Sequence, residues 1–367
     1  MSRSDALAQR ITRLVRPEVQ AMQAYHVPPA TGMVKLDAME NPYPWPGELR
    51  EAWLQVLAEV SINRYPDPTA AVLKQRLQRE GGVPAQAGLV LGNGSDELIQ
   101  LLGLALGGGG ERVVLSPGPS FVMYRLISGF TGMWFEEVAL GEGDFHLDTG
   151  AMVAAIGRHQ PAIVYLAYPN NPTGNAFESA AMEAVIEAAP GVVVVDEAYE
   201  PFCGRSWMPA LERYEHLLVM RTVSKMGLAG LRLGYLAGHP DWIAQFEKCR
   251  LPYNINALTQ ASAAFALDHA DRLRTQTQAL CAERERLFDA LSRRPGVAAW
   301  PSDANFITFR TAPGRAAAIH GALRNDGVLI KCLDGSHPML TDCLRVTVGT
   351  AEENASFLQA LDSALAG

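Results

Sequence analysis

Cysteine is scarce in this sequence: there are five in 367 residues, and none belongs to a Cys-x-x-Cys pair. A small, odd number of scattered cysteines argues against a disulfide framework, and without the paired spacing the usual signature of a zinc site is missing. We therefore expect a reducing compartment, the cytoplasm, and no bound metal.

Long apolar runs and basic tracts are missing as well. No stretch of 18 consecutive apolar residues occurs, so we predict no membrane span. Residues 1–20 carry six charged side chains, which leaves no apolar core for a signal peptide. The net charge of −8, without any Lys/Arg cluster, argues against a nonspecific nucleic-acid binder.

The composition that remains, with 48% hydrophobic and 19% charged residues, is typical of a globular protein with a sizeable core. After residue 89, apolar strand-like runs alternate with helical stretches, at residues 113–115, 162–167, 192–195, 217–223 and 233–236. Unbroken runs between helices favour a mostly parallel sheet covered on both faces. We predict a doubly wound α/β domain at residues 50–255.

The flanking regions have a different pattern of residues. Residues 258–292 are predicted to be one long helical region, in which the alternating charges of residues 283–286 indicate a solvated face. Two short strands and two helices follow. We predict that residues 1–49 and 256–367 together form a smaller α+β domain with an N-terminal arm.

A lysine follows one of the apolar runs. Residues 217–220 lead into Thr222, Ser224 and Lys225, and a glycine-broken turn then reaches Arg232. Burial disfavours a charged amine, and a neutral lysine amine can form a Schiff base. The two hydroxyls and the guanidinium could hold a phosphate beside it. A surface lysine at a strand end is the alternative.

A second candidate phosphate site is the segment Gly-Asn-Gly-Ser-Asp-Glu at residues 92–97. It runs into a predicted helix, with Ser95 as the expected N-cap, and the free amides of a helix start attract phosphate. Glu97 stands where the dinucleotide fingerprint needs its last glycine, so this is not that motif. A tight turn before a capped helix is the alternative.

Two further motifs follow predicted strands. Asn171, within Tyr-Pro-Asn-Asn-Pro-Thr-Gly, offers an amide donor, although such residues are also common in ordinary turns. Asp196 follows four valines and precedes Tyr199. A carboxylate there is expensive to bury unless a positive group pairs with it. A protonated pyridine nitrogen would do so; a helix N-cap or a salt bridge is the alternative.

These four motifs should meet, because ligands of open α/β sheets bind outside the carboxyl ends of the strands. Together they offer a phosphate cup, an amide, a carboxylate with a neighbouring phenol, and a Schiff-base lysine. Pyridoxal 5′-phosphate requires such a set.

In their order and intervals, Asn-Asn-Pro-Thr-Gly, Asp-Glu-Ala-Tyr and Ser-Lys with Ala-Gly-Leu-Arg-x-Gly resemble the fold-type I aminotransferases. More narrowly, G-N-G-S-D-E-L-I, N-R-Y-P-D-P, A-x-E-N-P-Y and L-R-V-T-V-G-T resemble the histidinol-phosphate aminotransferases, over residues 25–350. The resemblance implies a large domain with a mixed, mostly parallel seven-stranded sheet sandwiched by helices, and a smaller α+β domain. It also implies pyridoxal 5′-phosphate and amino-group transfer between L-histidinol phosphate and 2-oxoglutarate in histidine biosynthesis.

The resemblance also implies roles for residues around the cofactor. Lys225 would carry the covalent link and then move a proton between the substrate Cα and the cofactor C4′. Asp196 would pair with the ring nitrogen, while Tyr199 and Asn171 would hydrogen-bond the phenolic oxygen. Phe121 would stack on the ring, or else belong simply to the core. The phosphate would be held by Gly94, Ser95, Asp96, Thr222, Ser224 and Arg232.

For the substrate, the resemblance implies that Arg345 binds the anionic end, since one planar guanidinium can serve carboxylate and phosphate in turn. Tyr25 and Lys331 would add contacts to the substrate phosphate, with a solvated side chain as the alternative for Lys331. Asn41 would lie near the substrate. Tyr65 would reach the cofactor phosphate of the other subunit, which makes the enzyme an obligate homodimer with shared sites.

Three positions depart from the family pattern. The interval from Lys225 to Arg232 is seven residues, where many members have eight. Met39 stands where asparagine is usual, and Lys331 stands where arginine is common. The alternatives that remain are an aromatic aminotransferase, a threonine-phosphate decarboxylase, and a noncatalytic aminotransferase-like binding protein.

Overall fold

The structure, a computed structural model, describes residues 3–24, 28–108 and 111–367. Its helices are α1 (Arg3–Leu14), α2 (Pro17–Gln20), α3 (Gly47–Ala58), α4 (Ala71–Gly81), α5 (Ser95–Leu106), α6 (Val122–Thr131), α7 (Thr149–His159), α8 (Ser179–Ala188), α9 (Glu200–Cys203), α10 (Pro240–Cys249), α11 (Ala257–Asp268), α12 (Ala270–Ser292), α13 (Ala316–Asn325) and α14 (Ala351–Ala366). Within those described ranges, none of the helices combines the length and hydropathy needed to cross a bilayer.

The strands are β1 (Val34–Lys35), β2 (Gly88–Gly92), β3 (Val113–Gly118), β4 (Trp134–Ala139), β5 (Ile163–Ala167), β6 (Val192–Asp196), β7 (Leu217–Thr222), β8 (Gly234–Gly238), β9 (Ala298–Ala299), β10 (Phe306–Arg310), β11 (Val328–Leu329), β12 (Lys331–Cys332) and β13 (Cys343–Thr347). Seven of them form one sheet in the order β2-β8-β7-β6-β5-β3-β4. This confirms the mixed, mostly parallel sheet that the sequence predicts.

Strand β8 is the reversed strand of the large sheet. It is antiparallel to both β2 and β7, while β7, β6, β5, β3 and β4 run parallel to one another. Two reversals cancel, so β2 points the same way as β7. The carboxyl ends of β2, β5, β6 and β7 therefore share one edge of the sheet, where the four sequence motifs meet.

Both faces of the large sheet are buried, which explains the unbroken apolar runs. On β6, Val193 and Val195 belong to one apolar cluster, while Val192 and Val194 belong to another on the opposite face. Strand β7 alternates in the same way. Residues of odd and even number on these strands therefore face different layers.

A second, four-stranded antiparallel sheet has the order β12-β13-β10-β9, with α13 and α14 packed together beside it. Strand β1 joins this part of the molecule through parallel pairing with β11. The N-terminal helix α2 instead lies against α6. The division of the chain at residues 50 and 255 stays a prediction.

The region predicted as one helix at residues 258–292 is interrupted at His269. Its backbone leaves the helical conformation between α11 and α12, and its ring nitrogen Nδ1 lies 3.0 Å from the Phe265 carbonyl. The ring can therefore donate to a carbonyl that the ending helix leaves unpaired. The chain contains neither glycine nor proline at this point, so the sequence carries no ordinary signal for the break.

Helix α12 contributes to two cores. Leu273 packs in the cluster that covers one face of the large sheet, whereas Leu280 and Leu287 pack with the small sheet. The solvated face predicted for residues 283–286 is wrong at Glu283, which is buried and accepts hydrogen bonds from Arg286 and Asn354. Because the carboxylate has two partners, its burial is tolerated.

Candidate active site

A cavity of about 400 Å³ opens at the carboxyl edge of the large sheet. That volume falls within the range of roughly 300–1,000 Å³ that is usual for small-molecule sites. Ten of the residues predicted from the sequence line it, namely Ser95, Asp96, Phe121, Asn171, Asp196, Tyr199, Thr222, Ser224, Lys225 and Arg232.

The lysine lies just past the end of β7, in a short 3₁₀ turn. Its Nζ donates to the carbonyl oxygen of Ala38 at 3.2 Å and lies 5.8 Å from the centre of the Tyr199 ring. Burial, followed by the nearby cations Arg345 and Arg232, lowers the pKa of Lys225 to about 8. Roughly a tenth of the amine is then neutral at pH 7, which suits a nucleophile or a base.

The turn after the lysine brings an arginine back to the cavity in seven residues. Gly227 has φ +100°, and Arg232 itself adopts the left-handed conformation at φ +49°. A Cβ on Gly94, where φ is +82°, would lie 2.6 Å from the Arg232 guanidinium. The short interval therefore still places Arg232 against the start of α5, with its Nη2 3.6 Å from an Asp96 carboxylate oxygen.

The start of α5 and the end of β7 form a cup of donors. The N-cap of α5 is Gly94, and Ser95 is the first helical residue, so the prediction of Ser95 as N-cap is wrong. Gly94 takes that place because its positive φ is unfavourable for a side chain. The hydroxyls of Thr222 and Ser224 lie 2.7 Å apart on the other side of the cup.

Asp196 ends β6 and is 4% exposed. Its two oxygens accept from the Tyr124 hydroxyl at 2.7 Å and from the Ala198 N–H at 3.1 Å. Burial raises the pKa of Asp196 to about 6, against the lowering effect of these two hydrogen bonds. With a pKa of about 6, the carboxyl group is still mostly ionised at pH 7. Because it is buried, it strongly favours a cation beside it.

Tyr124 is a functional candidate that the sequence analysis missed. It follows Phe121 by three residues, and the two rings meet edge to face at 5.5 Å. It also stacks on Tyr165 at 4.4 Å. The i, i+3 spacing, which places both aromatic side chains on one side of a helix, was the signal available.

A chain of hydrogen bonds links the phenol to the predicted substrate arginine. The Asn171 amide donates to the Tyr199 hydroxyl at 3.2 Å, and its oxygen accepts from Arg345. Arg345 also donates to the Asp37 carbonyl at 3.1 Å. Burial raises the pKa of Tyr199 above its usual range, so the phenol remains a hydrogen-bond donor.

Three other predicted residues, Lys331, Asn41 and Tyr65, are not among the residues that line the cavity. Lys331 stands directly opposite Arg345 in the β12–β13 pair and is half-buried. Asn41 donates to Gln276 at 3.1 Å and lies beside Gly227. Tyr65 is 81% exposed and stacks on Tyr253. Tyr25 lies outside the described residues. The binding roles of all four stay predictions.

The segment before Asn41 also lines the cavity, through Ala38, Met39 and Glu40. Met39 has φ +54°, a conformation that asparagine tolerates better than methionine. Its N–H donates to Thr347 at 3.0 Å, and its carbonyl accepts from Asn305 at 3.1 Å. The two hydrogen bonds therefore hold a methionine in a backbone conformation that suits asparagine better.

The donor set fits pyridoxal 5′-phosphate. The cup offers hydroxyls, a guanidinium and the free amides of a helix start to a phosphate. Within the described chain, Asp96 Oδ1 is buried and has no hydrogen-bond partner, which leaves an acceptor for a donor group of a ligand. Asp196 suits a protonated ring nitrogen, and Lys225 suits an aldehyde.

Residues 31–361 match the protein family described as aminotransferase class I and II. The chain is 56% identical to histidinol-phosphate aminotransferase 2 of Nitrosococcus oceani, over 96% of this chain and 97% of that protein. It is 55% identical to histidinol-phosphate aminotransferase 1 of Ralstonia nicotianae, over 96% and 95%. The structure of histidinol-phosphate aminotransferase from Sinorhizobium meliloti with pyridoxal-5′-phosphate superposes with a TM-score of 0.86 at 25% identity, covering 96% of this chain and 98% of that one.

Proposed function

The chain belongs to the class I and II aminotransferases, and from this premise we propose that it transfers the amino group between L-histidinol phosphate and 2-oxoglutarate. The products are imidazole-acetol phosphate and L-glutamate, in a step of histidine biosynthesis. The observation that carries the proposal is the single cavity that both Lys225 and Asp196 line, with Arg345 hydrogen-bonded to Asn171 in its wall. The two relatives that match 96% of the chain are named histidinol-phosphate aminotransferases.

The cofactor is pyridoxal 5′-phosphate, which supplies an electron-accepting ring and an aldehyde carbon that links to amines. Gly94, Ser95 and Asp96, by backbone amides or short side chains, would hold its phosphate together with Thr222, Ser224 and Arg232. Asp196 would balance the charge of the ring nitrogen, and Phe121 would stack on the ring. Tyr199 and Asn171 would hydrogen-bond its phenolic oxygen.

Lys225 performs the proton transfer. Its amine, with a pKa lowered to about 8, is close enough to neutrality to take the proton from the substrate Cα. The Ala38 carbonyl, 3.2 Å from Nζ, holds the amine on the cavity side of the turn. The proton is therefore taken from one substrate atom, Cα, by one side chain, Lys225.

Arg345 binds the anionic end of each substrate. A planar guanidinium can donate a pair of hydrogen bonds to the carboxylate of glutamate or to the phosphate of histidinol phosphate. Lys331, opposite Arg345 on the neighbouring strand, adds a point charge for the phosphate. Tyr25 and Asn41 complete the proposed contacts to this substrate.

A substrate panel tests the activity. Purified enzyme with 2-oxoglutarate should form glutamate from histidinol phosphate with a kcat/KM at least about 100-fold above that for phenylalanine, because phenylalanine lacks the phosphate that Lys331 and Tyr25 would contact. Glutamate release is measured for each donor. Comparable efficiency with phenylalanine would establish a broad aromatic aminotransferase instead, and carbon dioxide released from phosphothreonine would establish a decarboxylase.

We further propose a cytoplasmic homodimer whose two sites are shared. All five cysteines are free thiols, which supports a reducing compartment. Tyr65 and Ile62 are 81% and 79% exposed, and Leu251, beside Tyr253, is 72% exposed. Large apolar side chains clustered on neighbouring loops favour a protein partner. Tyr65 then reaches the cofactor phosphate of the second copy.

Mixed dimers test the sharing. Lys225→Ala and Tyr65→Ala subunits, each poorly active alone, should regain activity when dimers are exchanged, because one site of each hybrid takes its lysine and its tyrosine from intact copies. Random pairing makes about half of the dimers hybrids, so about a quarter of wild-type activity should return. Activity is followed after mixing. A mixture no more active than the average of its parents would show that Tyr65 serves its own chain.

A further inference from the structure

A buried ion pair lies directly behind the candidate site. Glu197 follows Asp196 at the end of β6, and Arg221 precedes Thr222 at the end of β7. Side chains alternate along a strand, so this pair faces the layer opposite to the cofactor cavity. The Glu197 side chain is 0% exposed, and that of Arg221 is 10% exposed.

The two side chains are hydrogen-bonded to each other and to three neighbouring residues. Arg221 places both Nε and Nη2 2.8 Å from one oxygen of Glu197. The Ser206 hydroxyl accepts from Arg221 at 2.7 Å and donates to Glu197 at 3.0 Å. The Trp207 N–H donates to the other carboxylate oxygen, and Arg221 donates to the Gly81 carbonyl at the end of α4. Burial raises the pKa of Glu197, and the neighbouring Arg221 opposes that rise.

This ion pair continues the link between β6 and β7 beyond their backbone ladder. The ladder ends where Asp196 stands opposite Met220, with one more backbone bond from the Glu197 N–H to the Met220 carbonyl at 2.8 Å. Past that point β7 runs on to Thr222 and the chain then turns at Lys225, while β6 has ended. There the Glu197–Arg221 pair links the segments that follow the paired parts of the two strands.

Stability alone is a weak reason for such a pair. Two charges removed from water often contribute no more than well-packed apolar side chains of the same volume. The charges do provide directional bonds, which an apolar pair cannot. Here those bonds tie together the two strand ends whose other faces carry Asp196 and Thr222.

We propose that Glu197 and Arg221 are positioning residues, which hold Asp196 at a fixed separation from the phosphate cup and the lysine. The inference rests on the proposed function, because a cofactor bound at both places needs that separation. A ligand held at two ends by preformed groups loses affinity when the groups are displaced by a fraction of an ångström. Cofactor affinity is therefore the sensitive measure.

The test uses cofactor-free protein titrated with pyridoxal 5′-phosphate, together with its melting temperature. Glu197→Gln and Arg221→Gln should each weaken cofactor binding at least about tenfold and lower the melting temperature, since each leaves one buried group unbalanced. The double variant removes both buried charges, and only the partly exposed Glu200, 3.6 Å from Arg221, then loses a cation. Its melting temperature should return to within a few degrees of wild type, while its affinity stays at least about tenfold weaker.

Glu283→Gln is the matched control. Glu283 is also a buried carboxylate paired with an arginine, but it lies on α12 in the second core. It should lower the melting temperature and leave the affinity within about twofold of wild type. If a single variant fails to fold, Ser206→Ala keeps both charges and removes the hydroxyl that joins them; it should weaken binding about threefold.

Two results would overturn the positioning role. One is unchanged affinity in the single variants despite a lower melting temperature. The other is recovery of affinity together with stability in the double variant. The titration contains no amino donor, so it is independent of substrate choice; a wild-type protein that fails to bind the cofactor would overturn the proposed function as well.

Discussion

Replacement of Lys225 by alanine is expected to reduce kcat for histidinol phosphate by at least about 10⁴-fold, because it removes both the group that links to the cofactor and the base at the substrate Cα. The variant should still bind pyridoxal 5′-phosphate noncovalently, since the cup and Asp196 are intact. Single-turnover loss of the cofactor absorbance on addition of histidinol phosphate measures the step directly.

Lys225→Arg separates charge from chemistry. It preserves a cation of similar length, but a guanidinium is not deprotonated in proteins and cannot serve as the base. It should therefore be about as inactive as the alanine variant. Turnover within tenfold of wild type in either variant would remove Lys225 from the mechanism.

The protonation of the same lysine can be read from the binding of cofactor to cofactor-free protein. The neutral amine is the nucleophile, so the rate of covalent capture should rise about tenfold per pH unit below the pKa and level off above it. With the pKa lowered to about 8, the plateau should begin near pH 8. Stopped-flow absorbance measures the rate. A rise that continues to pH 10 would indicate an ordinary lysine with a pKa near 10.5.

Asp196→Asn is expected to have the second-largest effect. The variant leaves the cofactor ring without a buried counter-charge, and loss of one partner from a buried pair costs about 3–5 kcal/mol, or roughly 10²–10⁴ in rate. The kcat for histidinol phosphate should fall by that factor, while binding of the cofactor phosphate is retained. A fall of less than tenfold would mean that Asp196 does not face the ring.

Tyr124→Phe keeps the Asp196 carboxylate and removes only the hydrogen bond that it accepts from the Tyr124 hydroxyl. Losing a hydrogen bond to a charged group costs about 1.5–3 kcal/mol, so the pKa of Asp196 should rise further. As the pH falls, a carboxylate with a higher pKa is protonated at a higher pH. The acidic limb of kcat/KM should therefore move to higher pH. Tyr165→Phe is the matched control, because it keeps the ring stacked on Tyr124 and the Tyr124–Asp196 bond. An equal shift in both variants would refute a specific role for the Tyr124 hydroxyl.

The large sheet could be predicted because its strands are buried on both faces, which makes them continuous apolar runs with few alternatives. The site could be predicted because each motif follows directly after such a run. Ten of the predicted side chains line one cavity for that reason. The helix break at His269 could not be predicted, since it depends on a side chain that caps its own helix instead of on glycine or proline.

What the sequence could not reveal are partners brought together from distant parts of the chain. Tyr124 supports Asp196 from 72 residues away, and Arg221 reaches Glu197 across 24 residues. Nothing in the local pattern around either residue specifies its partner, because the pairing depends on strand order. The prediction of Ser95 as the N-cap of α5 was wrong because the helix begins one residue earlier. The N-cap position has a positive φ, which favours Gly94.

Helix α12 has a consequence for how the molecule comes apart. One of its ends is packed on the large sheet through Leu273 and the other on the small sheet through Leu280 and Leu287. Melting of either core would strip one end of the helix of its apolar contacts, and melting of the core around the small sheet would also leave a buried carboxylate, Glu283, without its surroundings. The folding equilibria of the two cores are thus coupled through a shared element, and cooperativity is built into the chain at a single helix.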